Sequence, residues 1–142
     1  MQSFVSLTEK KQGTFVVYEG SHLLHEQYMT DNGITGSKNW EKIDKKMLRS
    51  ISSTKRVLHV KAGSMVFWDS RTFHQNQYGR VGEERIVQYI SMLPKFDPKN
   101  TPKMTEKRKK YFKERRTTSH WAYPIIVNGK LPQTYGNKSF GD

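Results

Sequence analysis

Apolar positions in this chain cluster at β-type spacing, with stretches of helical spacing set between them. Residues 2–7 alternate in part and are rich in Phe, Val and Leu, which predicts a strand from the start. A polar connection ending at Gly13 leads to Thr14-Phe15-Val16-Val17-Tyr18, β-branched and aromatic throughout, so the two segments predict a hairpin. Ser21 stands where an N-cap belongs for a short helix carrying Leu23, Leu24, Gln27 and Tyr28, which Asn32-Gly33 ends. Trp40, Ile43, Met47, Leu48 and Ile51 share one face of a second helix. Residues 56–60 predict a strand, and residues 61–63 a turn. Residues 64–69 predict a strand buried on both sides, because its middle is continuously apolar. Residues 85–93 predict the last strand, stopped by Pro94. Residues 102–116 read as a basic helix, and the remainder as an irregular tail that can turn at Asn128-Gly129.

Five strands with two helices between the second and third predict a mostly β fold with inserted helices. Its expected form is a partial double-stranded β-helix, jelly-roll or cupin-like, plus a basic C-terminal helix. A jelly roll uses about eight strands, so the expected sheet is incomplete at its front. The expected organisation is a jelly-roll portion over 1–96, a basic helical extension over 97–121 and a tail over 122–142.

Composition refines this picture. Hydrophobic residues make up only 34%, but 17 aromatics supply large buried areas for a modest core. The absence of cysteine removes disulfides, thiolate metal sites and thiol nucleophiles. No apolar run suits a membrane span, and the first residues lack the basic and long apolar regions of a secretory signal, so an intracellular, cytoplasmic location is expected. The net charge of +12 is uneven: residues 1–94 carry 13 basic and 9 acidic side chains, and residues 95–142 carry 12 and 4. Eight cations fall within residues 103–116, against Glu106 and Glu114. Such a run is usually a solvated helix face; contact with nucleic acid or another anion is the less common reading.

The candidate chemistry sits in Gly63-Ser64-Met65-Val66-Phe67-Trp68-Asp69-Ser70-Arg71-Thr72-Phe73-His74, with Arg85 eleven positions later. A histidine at a strand end and an arginine on the next strand suit a metal held beside a dicarboxylate, since a guanidinium pairs bidentately and keeps its charge. The plainer readings are a hydrogen-bonded histidine, and an arginine paired with Glu83 or Glu84. Asp69 is read either as part of the apolar run or as a brace for Arg71. His22 is read as structural, lining or bracing the pocket, and His25 and His59 as surface or packing residues. Phe67 and Trp68 read as core.

The order Gly20-Ser21-His22, Ala62-Gly63-Ser64, Phe67 to Arg71, His74 and Arg85, with Arg116-Thr117-Thr118-Ser119-His120-Trp121 beyond, resembles the distal half of the phytanoyl-CoA dioxygenase-like family over residues 2–121. Departures are Glu19 for a proline and Ser64 for an acidic residue. The resemblance implies an Fe(II)- and 2-oxoglutarate-dependent dioxygenase, with ascorbate as a further cofactor and a small molecule as substrate. His74 would be a metal ligand and Arg85 the anchor of the 2-oxoglutarate carboxylate. The implied reaction is oxidative decarboxylation of 2-oxoglutarate coupled to hydroxylation of a C–H bond. Such iron sites use two histidines and a carboxylate. The family's His-x-Asp pair is absent: two positions after the five histidines stand Leu24, Gln27, Lys61, Asn76 and Ala122. The expectation is therefore a fragment or truncated form, with an inactive jelly-roll module binding an anionic partner through 103–116 as the alternative.

Overall fold

The computed structural model describes residues 1–8, 14–35 and 40–115. Its contacts divide the chain into two units, Met1–Tyr89 and a second from Ile90 onward. Six strands are present among the described residues: β1 (Gln2–Ser6), β2 (Thr14–Tyr18), β3 (Lys55–Leu58), β4 (Met65–Trp68), β5 (His74–Gln77) and β6 (Val87–Ser91). They form two three-stranded sheets, ordered β4-β1-β6 and β3-β2-β5, with antiparallel pairing of β1 to β4 and of β2 to both β3 and β5. The result is a mixed, sheet-rich fold.

The expected hairpin between the first two strands does not form; β1 and β2 belong to different sheets. The reason lies in the aromatics. Phe4 on β1 and Phe15 on β2 meet edge to face with ring centroids 5.3 Å apart, and both pack with Trp68 of β4. Opposed sheets put large rings in such contact, whereas neighbours in one sheet lay them side by side. Val66, Val87, Leu58 and Tyr89 complete this interior cluster.

The two faces of β2 serve different layers. Phe15 and Val17 pack in the interior between the sheets, while Val16 and Tyr18 pack beneath a helical layer with Tyr28 and Phe73. This two-sided burial explains the unbroken apolar run of β2. The same expectation fails for β4. Its exposure alternates, with Val66 and Trp68 inside while Met65 and Phe67 stay 37% and 51% exposed.

The helical layer departs from its predicted bounds for local reasons. The expected helix from Ser21 is split into a 3₁₀ turn (Ser21–Leu23) and α1 (His25–Asp31). Ser21 caps neither; its buried hydroxyl donates to the Tyr18 carbonyl (2.6 Å) and accepts from the Phe73 N–H (2.8 Å). Asn32 and Gly33, the latter at φ 62°, end α1 as expected. The second helix, α2 (Lys45–Ser50), starts five residues later than the apolar pattern suggests. Asp44 sets that start by accepting the N–H groups of Lys46 and Met47, a cap worth about 1 kcal/mol. Trp40 is left off the packed face, 74% exposed.

In the second unit, α3 (Pro102–Lys113) begins at a Thr101 cap with Pro102 in the first turn, and none of its side chains is buried. The motif 116–121 and the tail with Asn128-Gly129 lie outside the described residues. Among the described residues no helix is long and apolar enough to cross a membrane.

Candidate functional site

β4 ends at Trp68, and the chain turns back at Asp69. The Asp69 carboxylate accepts the Arg71 backbone N–H (2.9 Å) and grips its guanidinium through Nε (3.0 Å) and Nη2 (2.7 Å). These Arg71 hydrogen bonds, with a smaller contribution from nearby His22, hold the Asp69 carboxyl well below the usual carboxylate range. The two readings of Asp69 are thus resolved: it braces Arg71, as a half-exposed pair rather than a buried one. A side-chain-closed turn of this kind fixes the direction in which the next strand leaves.

That strand is β5, which the apolar pattern gives no sign of, because His74-Gln75-Asn76-Gln77 contains no hydrophobic residue. His74 therefore opens a strand rather than ending one. β5 is recruited by backbone pairing to β2, with His74 opposite Val17 and Asn76 opposite Phe15. Directly opposed residues share a sheet face, so His74 and Asn76 lie on the interior side with Val17 and Phe15. The His74 ring accordingly lies 5.5 Å from that of Phe15 and 5.4 Å from that of Trp68, although the residue itself remains exposed.

The imidazole has a defined orientation. Nδ1 lies 2.7 Å from the Thr72 carbonyl oxygen. A carbonyl only accepts, so Nδ1 carries a proton, and in the neutral ring Nε2 is then the nitrogen with the lone pair. Metal-binding histidines are oriented by the same kind of bond from the non-ligating nitrogen.

Arg85 precedes β6 instead of lying within it. Its segment is tied to the end of β1: the Leu7 N–H donates to the Ile86 carbonyl (2.9 Å), and the Ile86 N–H donates to Thr8 Oγ1 (3.2 Å). The guanidinium lies over the Phe4 ring, 5.0 Å from its centroid, and Nη1 donates to Asn76 Oδ1 (3.2 Å). Asn76 also exchanges hydrogen bonds with the Tyr89 hydroxyl at 3.2 and 3.3 Å. Arg85 thus reaches the strand of His74, two residues along on the same face, a spacing of about 7 Å. It makes no ion pair with Glu83 or Glu84 among the described residues; Glu83 accepts the Arg80 N–H instead. Its Nη2 is buried and has no hydrogen-bond partner among the described residues.

Asn76, Tyr89 and Phe4 belong to this site, though the motif pattern alone does not single them out. A period of two, counted from His74 and from Arg85, reaches Asn76 and Tyr89, so the signal exists once β5 is known to be a strand.

The arrangement suits an anion. A guanidinium nitrogen with no partner among the described residues, over an aromatic floor, fits a carboxylate. It does not suit iron in the same way: among the described residues no three His, Asp or Glu side chains come together. His74 offers one nitrogen, and a single imidazole does not form the facial set that Fe(II) needs.

No family model, curated protein or solved structure matches this chain.

Proposed function

We propose that residues 1–96 are the distal part of a jelly-roll oxygenase domain of the phytanoyl-CoA dioxygenase-like kind, and that Arg85 binds the far carboxylate of 2-oxoglutarate beside His74. The observation that carries this reading is the buried Nη2 of Arg85, without a partner among the described residues, on a guanidinium held over Phe4 and tied through Asn76 to the strand of His74. Leaving a charged donor unpaired costs free energy, and a carboxylate arriving there removes that cost. The chain passes from one sheet to the other at four of its five strand connections, all but β2 to β3, which supports the jelly-roll reading.

In this reading the chain's own residues bind and orient the dicarboxylate. Arg85 supplies the fork, Asn76 and Tyr89 fix its angle, and Phe4 and Phe15 keep water from its lower side. Iron, when bound, would supply oxygen activation, and His74 would present Nε2 to it. The other ligands are not among the described residues, so no metal step is assigned to them. Calorimetric titration with 2-oxoglutarate tests the reading. Wild-type protein should bind, and Arg85→Met should lose binding while keeping its circular dichroism spectrum. Equal binding by the two overturns the assignment. An in-frame His-x-Asp upstream of the Met1 codon would extend the reading to a full oxygenase, with ascorbate as an accessory and a small molecule as substrate.

A second reading makes the chain an inactive module that binds an anionic partner through residues 103–116. It is favoured by the openness of α3, where Lys103, Lys107 and Lys113 are exposed and Phe112 is 86% exposed beside them. Retention on heparin should then fall steeply with added salt; retention insensitive to salt removes this reading.

A further inference from the structure

Three buried polar atoms in the first unit lack a partner among the described residues: Arg85 Nη2, Trp68 Nε1 and Gln2 Oε1. They are not scattered. Gln2 and Trp68 are opposed residues of β1 and β4, and Gln2 lies two positions from the interior residue Phe4, on the same face. The Trp68 ring touches Phe4 (5.8 Å between centroids) and His74 (5.4 Å), while the Arg85 guanidinium sits over the same Phe4 ring. Trp68 and Arg85 therefore meet the same Phe4 ring, and Gln2 stands opposite Trp68 on that sheet face. Trp68 is only 9% exposed, so its N–H cannot be satisfied by bulk water.

Taking the proposed dicarboxylate site as its basis, we infer that Trp68 is a second binding residue of that site. Its indole N–H donates to the ligand that Arg85 anchors, whereas the Gln2 Oε1 on the opposite strand is an acceptor and makes no bond to a carboxylate. An indole nitrogen only donates, so the ligand presents an acceptor there. Together with the Arg85 fork, that calls for a small anion with acceptors at more than one end. A dicarboxylate meets this, and a monocarboxylate of the same size does not. Trp68 thus ties ligand binding to the aromatic core itself, one ring away from the imidazole.

The test is ¹H–¹⁵N NMR of the indole groups of the full chain, combined with calorimetry. Trp40, Trp68 and Trp121 give three indole signals, and Trp68→Phe identifies the one that matters while keeping an aromatic ring. If that variant does not fold, Trp40→Phe and Trp121→Phe assign the remaining signal in folded protein. On titration with 2-oxoglutarate, the Trp68 indole proton should move downfield and become slower to exchange. Trp68→Phe should weaken binding about tenfold, the effect of one buried hydrogen bond to a charged group. Pentanoate should move the Trp68 signal far less than glutarate does. Binding by calorimetry with an unmoved Trp68 signal overturns this inference and leaves the Arg85 assignment standing. No binding of any dicarboxylate removes both. A Trp68 N–H already protected in the free protein, and released by Gln2→Met, identifies a purely internal pair and likewise overturns it.

Discussion

The two faces of β2 treat polar groups in opposite ways. On the helical side, the buried Ser21 hydroxyl is used twice, once toward Tyr18 and once toward Phe73. Tyr28 donates to Asp44 (2.9 Å) and accepts the Asp44 N–H (3.0 Å). On the interior side, Gln2, Trp68 and Arg85 each leave a buried polar atom without a partner among the described residues. A fully satisfied face specifies structure, because each group there is already committed. An unsatisfied one stores a demand for hydrogen bonds that a ligand can meet. The difference separates what holds the fold from what the fold offers.

The largest effect should come from the floor that both roles share. Phe4 is fully buried, and Phe4→Ala should destabilise by about 3–5 kcal/mol in urea denaturation and abolish 2-oxoglutarate binding with it. A variant that unfolds no more easily than wild type would show that the floor is not the core. Next comes the contrast itself. Ser21→Ala strands the Phe73 N–H and the Tyr18 carbonyl and should cost about 1–3 kcal/mol. Gln2→Met removes an already unpaired oxygen and should leave stability within about 0.5 kcal/mol of wild type, or raise it. Similar losses at both positions would erase the distinction between the faces. A smaller change is expected at Asn76, which positions Arg85. Asn76→Ala should weaken 2-oxoglutarate binding about fivefold with unchanged urea midpoint, and Asn76→Asp should weaken it further, because its carboxylate pairs with Arg85 and repels the anion.

The smallest effect concerns acid. Asp44 is held below its ordinary value of 3.8, first by the Met47 N–H and then by the Tyr28 hydroxyl, and Asp69 is held down by Arg71. A carboxyl depressed in the folded state contributes stability above its unfolded value that is lost as pH falls through the folded value. Stability should therefore hold down to about pH 4 and decline below it, with the decline reduced in Asp44→Asn. A decline that begins above about pH 5 would place its cause elsewhere.

What the chain discloses before folding follows from how each element is decided. β1, β2, β3, β4, β6 and α3 announce themselves through apolar or charged runs, because their residues carry the driving force. β5 does not: its four polar residues are extended only because β2 needs a second neighbour. The split of β1 and β2 into separate sheets is equally silent, since it depends on Phe4 meeting Phe15 across a gap. Asp44 carries no apolar signal, so the cap that starts α2 does not show in a pattern that begins at Trp40. His74 and Arg85 stand out by spacing. Their shared face, the Asn76 link and the unpaired atoms around Phe4 arise only when strands far apart in the chain are aligned.

The pairing of Gln2 with Trp68 has a consequence for how the protein is made. Among the described strands, β1 is synthesised well before both of its sheet neighbours, β4 and β6. Until then Phe4 travels bare, on an open edge able to capture another chain. Closure of a loop of that length, rather than local helix formation, should govern the folding rate. Rapid overproduction should therefore favour inclusion bodies, and slower synthesis in the cold should raise the soluble yield.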